Sequence, residues 1–299
     1  MPELPEVESI RRSLLPRVVG KRVVGAVLHR RDVLTLPGDP AGGFARQRLR
    51  GTLSRRPTKV SEADLLVGAR ITAIERRGKQ LAVIGVGPDP HADQRALIVQ
   101  LGMSGQFFHR EPAQALPVQS HVHAVWTLED GGRIVFRDPR RFGGLRAIPG
   151  MNQLRELWSS IGPDALTISP RELGAALRNS RRPIKPTLLD QSRLAGVGNI
   201  YADEALFAAR ISPHRLSRSL DRREVHNLAG SIRRTLREAV AHGGSTLRDY
   251  LDAAGNPGAF QRRHSVYGRG GQPCRSCGCL LRQAMIAQRT TVWCPFCQR

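Results

Sequence analysis

All five cysteines of the 299-residue chain lie in its last 26 residues: Cys274, Cys277, Cys279, Cys294 and Cys297. The stretch CRSCGCLLRQAMIAQRTTVWCPFC sets two Cys-x-x-Cys pairs 16 residues apart. Each pair can grip one side of a tetrahedral ion while the residues between them turn back as a hairpin, and four thiolates leave no coordination position open. The spacing predicts a structural Zn2+ site on Cys274, Cys277, Cys294 and Cys297. The metal supplies folding energy to a segment too short to bury a core of its own. A disulfide framework would instead be spread through a small secreted domain. Cys279 could compete through Cys277-x-Cys279, but that spacing is tight for an ordinary knuckle, and it reads as a bystander thiol.

Ahead of this module the hydrophobic period changes once. From Val23 to Ile148 short β-branched runs recur (VVGAVLHR, ARITAIERR, QLAVIGV, RALIVQLGM, HAVWTLEDGGRIVFR), several alternating apolar and polar, with EDGG as a hairpin signal. A helix over about Val7–Val18 precedes them, with Glu3 and Glu6 near its positive end. The stretch Leu36–Ala63, rich in Gly, Pro and Arg, reads as an insertion. After about Met151 the period becomes 3.6: MNQLRELWSSI, SPRELGAALRNS, ADEALFAARI and REVHNLAGSIRRTLREAVAHG carry i, i+3, i+4 apolar spacing. SPRE and DRRE read as capping boxes on Ser169 and Asp221. The expected architecture is α+β in two domains: a β-sandwich with an N-terminal helix over 1–150, and a helical part over 151–263 that leads into the zinc module over 264–299.

Charge narrows the partner. Lys+Arg number 47 against Asp+Glu 25, a formal net charge of +22, which points to a polyanion, most often nucleic acid. A basic ribosomal or chromatin protein without chemistry satisfies the same number. The chain has no run of 18 or more apolar residues, so no membrane span is expected. The N-terminus lacks the basic and apolar regions of a signal peptide, so a cytoplasmic, nucleoid-associated monomer is expected. Only four of the basic residues are lysines: Lys21, Lys59, Lys79 and Lys185. An amine can give up its proton where a guanidinium effectively cannot, so these four are the basic residues suited to proton transfer.

The first residues, MPELPEVE, are suited to covalent chemistry. Removal of Met1 would leave Pro2 with a free secondary amine, and an α-amino group titrates near 8, roughly two units below a lysine side chain. Enough of it is neutral at pH 7 to add to an aldehyde-like sugar carbon and form an iminium, an electron sink. Glu3 could shuttle protons at the sugar. On these residues alone, Pro2 and Pro5 could equally do no more than start a helix.

Six separated stretches, PELPEVE, LGMSG at 101–105, RDPRRFGG at 137–144, GVGNIYADEALF at 196–207, VYGRGGQPC at 266–274 and the four-cysteine tail, resemble the formamidopyrimidine-DNA glycosylases in that family's order. PELPEVE in place of PEGPE resembles the formamidopyrimidine branch more than its endonuclease VIII relatives. The resemblance implies a base-excision enzyme acting on oxidised purines in damaged double-stranded DNA. Pro2 is then the Schiff-base nucleophile and Glu3 the acid/base at the sugar, with Glu6 supporting them and Lys79 in ERRGKQLAV donating protons near the damaged nucleotide. β- and δ-elimination would leave a one-nucleotide gap. Met103, Arg140 and Phe142 match the trio that fills the space of a flipped base: Met103 and Phe142 as wedges, Arg140 as donor to the orphaned base. Read singly, Met103 and Phe142 would pass as core residues. Asn199, Lys185 and Arg289 correspond to phosphate contacts, and Gly196 and Gly198 would let a phosphate approach the backbone at a helix N-terminus. Gly255–Arg263 falls where the family has a loop over the lesion. Gln100 stands where relatives often carry histidine.

Overall fold

The computed structural model describes residues 2–36, 60–88, 94–114, 120–247 and 250–299. The expected insertion Leu36–Ala63 lies for the most part outside the described residues. The described chain forms two compact units: Pro2 with Glu6–Trp158 and Thr246–Gly258, and Glu3–Pro5 with Ser159–Ser245 and Ala259–Arg299.

The first unit holds most of helix α1 (Leu4–Val18). The helix begins three residues before the sequence places it, because Pro5 falls in the first turn, where a missing N–H removes no helical bond. Val7, Ile10, Leu14 and Val18 recur along one stripe and are at most 1% exposed. Nine strands follow: β1 (Val23–Leu28), β2 (Leu34–Thr35), β3 (Arg70–Arg77), β4 (Gln80–Val86), β5 (Gln94–Gln100), β6 (Gln106–Arg110), β7 (Val122–Leu128), β8 (Arg133–Arg137) and β9 (Gly144–Ile148). They pair as a four-stranded sheet in the order β1-β7-β8-β6 and a five-stranded sheet in the order β2-β9-β5-β4-β3. All these pairings are antiparallel except β2 with β9.

Strands β4 and β5 are buried on both faces, which is why LAVIG and ALIV read as unbroken apolar runs. Leu81, Val83, Leu97 and Val99 face the main core with the α1 stripe. Ala82, Ile84, Ala96 and Ile98 form a second cluster with Leu154 of α2 (Met151–Ser159).

The second unit contains α3 (Pro170–Arg178), α4 (Ile184–Leu188), α5 (Asn199–Ala208) and α6 (Arg222–Ala241). Ser169 and Glu172 close a capping box on α3, and Asp221 and Glu224 close one on α6, as SPRE and DRRE predict. Leu173, Leu177, Ile200, Leu206, Leu228, Ile232 and Leu236 pack into its core. Strands β10 (Arg282–Ile286) and β11 (Arg289–Trp293) form the expected hairpin in the cysteine tail. Ala287 and Gln288, both at positive φ, make its two-residue turn. Among the described residues no helix is long and apolar enough to cross a membrane.

Candidate active site and nucleic-acid contacts

Pro2 is buried at the head of the chain and leads directly into Glu3, itself 1% exposed. The Glu3 carboxylate accepts hydrogen bonds from Gly198 N at 2.7 Å and Ile200 N at 3.0 Å, with Tyr201 N at 3.5 Å. A negative group thus sits on the positive end of α5. The two glycines before α5 exist to admit the N-terminal residues. A Cβ on Gly198 would lie 2.3 Å from Glu3 Cδ, and one on Gly196, whose φ is +108°, would lie 2.3 Å from Leu4 Cδ1. This corrects the sequence reading, which gave both glycines and the helix N–H groups to a phosphate. The N–H groups of Gly198, Ile200 and Tyr201 bond Glu3 instead.

Lys185, expected as a phosphate contact, is fully buried in α4. Its ammonium lies 2.7 Å from Asp203 Oδ1 and donates to Thr290 O at 3.0 Å and Thr291 Oγ1 at 2.9 Å. The ammonium is thus enclosed by one carboxylate and two hydrogen-bond acceptors of the hairpin. Burial pushes the Asp203 carboxyl up to about 7 against the pull of Lys185, and burial pushes Lys185 down against Asp203. Asn199 Nδ2 also donates to Thr290 O, at 3.1 Å.

Two adjacent acids of α5 thereby hold the cysteine module, and the sequence reading assigned neither. Asp203 also accepts from Val292 N at 3.1 Å. Glu204 accepts from Ser265 N, Val266 N and Tyr267 N at 2.8–3.1 Å. The available signal was a pair of consecutive acids inside the apolar helix ADEALF. Arg289, exposed, begins β11 next to the turn and beside the Thr290–Thr291 pair that Lys185 holds.

The first unit presents its candidate residues differently. Met103 and Phe142 are 40% and 38% exposed, and the Arg140 guanidinium stacks 5.0 Å from the Phe142 ring. Their loops touch backbone to backbone. A Cβ on Gly102 would lie 2.4 Å from Phe142 C, and one on Gly143 would lie 2.5 Å from Gln100 O. Asp138, fully buried, ties the loops together. It accepts from Ser104 Oγ at 2.6 Å, Gly143 N at 2.7 Å and Arg140 N at 3.3 Å. Sequence reasoning passed over Asp138, although an acid before the proline of RDPRRFGG marks a side chain poised to bond its own turn.

Lys79, partly exposed, is the second residue of the β3–β4 turn after Gly78, whose φ is +55°. Gln100, opposite Gln80 in the β4–β5 ladder, stands beside this turn. Tyr250 Oη donates to Glu6 O at 3.2 Å, and Ala253 N to Ser13 Oγ at 3.1 Å. The expected lesion segment Gly255–Arg263 is divided after Gly258 between the two units.

In the cysteine module the sulfurs of Cys274, Cys277, Cys294 and Cys297 all lie within 4.8 Å of one another. Cys277 and Cys294 Sγ are 3.5 Å apart, and Cys274 and Cys297 Sγ are 4.0 Å apart. Those separations exceed a disulfide bond of about 2 Å. They match the edge of a tetrahedron with metal–sulfur bonds of about 2.3 Å, so the four residues can hold one metal ion. Cys279 stands outside the group and is exposed.

Two family models match in series: the formamidopyrimidine-DNA glycosylase N-terminal domain over residues 1–145 and the formamidopyrimidine-DNA glycosylase H2TH domain over residues 161–250. The formamidopyrimidine-DNA glycosylase of Laribacter hongkongensis is 40% identical over the full length of both chains. The Fpg (MutM) crystal structure from Thermus thermophilus superposes with a TM-score of 0.79 at 38% identity, covering 99% of this chain and 98% of its own. Lactococcus lactis Fpg, solved with abasic-site DNA, gives 0.80 at 31% identity over all of both chains. The protein is thus a DNA glycosylase of base excision repair, of the kind that also cleaves the strand at abasic sites. Within that class it belongs to the formamidopyrimidine-DNA glycosylase family.

Proposed function

We propose that the chain excises oxidised purines, 8-oxoguanine and formamidopyrimidines, from damaged duplex DNA and then opens the strand through a Schiff base on Pro2. The observation that carries the reading is Glu3. A buried carboxylate, held by backbone N–H groups, adjoins the only secondary amine the chain can offer. The Pro2 nitrogen adds to C1′ of the flipped nucleotide, and the base departs with the bonding electrons and a proton. The C1′–O4′ bond then breaks, O4′ takes up a proton, and the iminium so formed acidifies a proton on C2′. Loss of that proton expels the 3′ phosphate, and a second elimination expels the 5′ phosphate. Glu3 moves protons at the sugar, and Lys79, an amine on a turn, supplies or accepts them near the nucleotide.

Met103 and Phe142 enter the stack, and Arg140 meets the orphaned base. Asn199 and Arg289 would contact phosphates, while Lys185 acts through the hairpin it holds. Cys274, Cys277, Cys294 and Cys297 would bind one Zn2+, whose role is to fix the hairpin. In this reading residues 1–150 are the catalytic domain, 151–263 the helical domain and 264–299 the finger, working as a monomer on cytoplasmic, nucleoid DNA. L. lactis Fpg has also been solved with DNA containing an oxidised pyrimidine. An endonuclease VIII-like preference is therefore the second reading.

Borohydride trapping on 8-oxoguanine duplex tests the mechanism. The wild-type chain, with Met1 removed, should give a covalent adduct mapping to residue 2, and Pro2→Gly should give none. Absence of a wild-type adduct refutes the reading. Excision rates on 8-oxoguanine against oxidised thymine, opposite each base, decide the lesion class.

A further inference from the structure

Helix α1 carries a carboxylate that the scheme above does not use. The Glu8 side chain is 5% exposed and meets three guanidiniums: Arg11 at 2.8 Å, Arg12 at 2.9 Å and Arg76 at 3.0 Å. Burial works to raise its carboxyl, but the hydrogen bonds of Arg11, Arg12 and Arg76 outweigh this and hold it at about 2. Arg11 and Arg12 belong to the same helix, one turn on, and remain partly or well exposed. Arg76 does not. It comes from the end of β3, is 8% exposed, and its other nitrogen donates to Gly78 O at 3.0 Å. Arg11 also reaches β3, through Ile74 O at 3.4 Å.

The β3–β4 loop has two residues, Gly78 and Lys79, between the paired Arg77 and Gln80. Glycine is the residue with the most backbone freedom to lose, so a Gly-initiated turn holds one geometry only where its groups are tied. One such tie is the Gly78 carbonyl, bonded to a guanidinium that also pairs with a buried anion. Removing that anion would take away a buried counter-ion 3.0 Å from a nearly enclosed guanidinium and weaken its hold on the turn.

We propose that Glu8 is a positioning residue for Lys79: through Arg76 it fixes the Gly78 carbonyl and with it the turn from which Lys79 acts. The proposal rests on the reading of Lys79 as a proton-transfer residue. It assigns Glu8 no contact with DNA and predicts a defect confined to the step Lys79 serves.

The test measures strand cleavage on a pre-formed abasic duplex in single turnover, next to borohydride trapping yield and thermal stability of the full-length protein. Glu8→Gln should slow elimination by roughly 10–100-fold, the effect of misplacing a reacting group by about 1 Å, with trapping yield retained. Arg76→Lys keeps the charge but gives up the fork that joins Glu8 to Gly78, and should reproduce the defect. In a Lys79→Ala background Glu8→Gln should add nothing further. If the two defects multiply, or if Glu8→Gln and Arg76→Lys lower trapping and elimination equally, Glu8 is a fold-stabilising ion and the proposal fails while the Lys79 reading stands. A Lys79→Ala variant with normal elimination overturns both.

Discussion

Both units bury carboxylates, and the two sets do opposite work. In the first unit Asp138 and Glu8 face inward so that other side chains can face out: Asp138 ties the loops of Met103 and Phe142, and Glu8 restrains the turn of Lys79. In the second unit Glu3, Asp203 and Glu204 turn onto backbone N–H groups and onto Lys185, and the cation is enclosed with them. Exposure is kept for Met103 and Phe142, the groups proposed to enter a DNA helix. Buried charge is used to hold chain segments that have little core of their own. A lysine expected to touch phosphate is therefore found bracing the hairpin that carries Arg289.

The largest effect should come from breaking the support of that hairpin altogether. Removing the metal with a strong chelator, or Cys294→Ser, should unfold the module, since structural zinc is worth about 10–16 kcal/mol in finger peptides. DNA affinity by fluorescence anisotropy should then collapse, and retained tight binding with no metal would show that the finger folds without it. Next comes the enclosed pair. Lys185→Met should cost about 3–5 kcal/mol by leaving Asp203 uncompensated, whereas Lys185→Met with Asp203→Leu should recover most of it. Calorimetric midpoints that simply add would show that the pair is not coupled.

Asp138→Asn tests the first unit. It should lower stability by only about 1–3 kcal/mol. It should loosen the wedge loops, seen as reduced unstacking of a fluorescent base analogue opposite the lesion. Unchanged unstacking would separate Asp138 from the wedges.

The smallest effect is in pH. Burial, helped by Arg275, pushes His264 of the second unit down to about 4 from 6.5. Its unfolded form therefore takes up a proton that the folded form refuses. Its contribution is complete above pH 6.5 and is lost as pH falls from 6.5 towards 4. Glu8 of the first unit, lowered from 4.5 to about 2, holds its contribution down to pH 4.5 and loses it below that. Urea unfolding should weaken between pH 7 and 5, and His264→Asn should flatten that slope. An unchanged slope would place the loss elsewhere.

Much of the chain was legible before folding. Short β-branched runs, some alternating and some unbroken, became β1, β3 to β5, β7 and β8, SPRE and DRRE became capping boxes, and the cysteine spacing became a hairpin with four converging sulfurs. The start of α1 was missed because a proline-rich opening hides a first turn that needs no N–H. Asp138, Glu204 and Glu8 were missed because an isolated acid looks the same in sequence whether it faces solvent or three arginines.

The sequence alone determined the strand-rich and helical halves of the chain, the two capping boxes and the metal knuckles, and which family's motifs they carry. Each of those signals lies within a few residues of itself, in a side-chain period, a cap or a Cys-x-x-Cys step. Only the tertiary structure decided what each polar side chain does. Lys185 meets Thr290 across 105 positions and Glu3 meets Ile200 across 197. Whether a charge is offered to DNA or used inside depends on such distant partners and on the water they exclude.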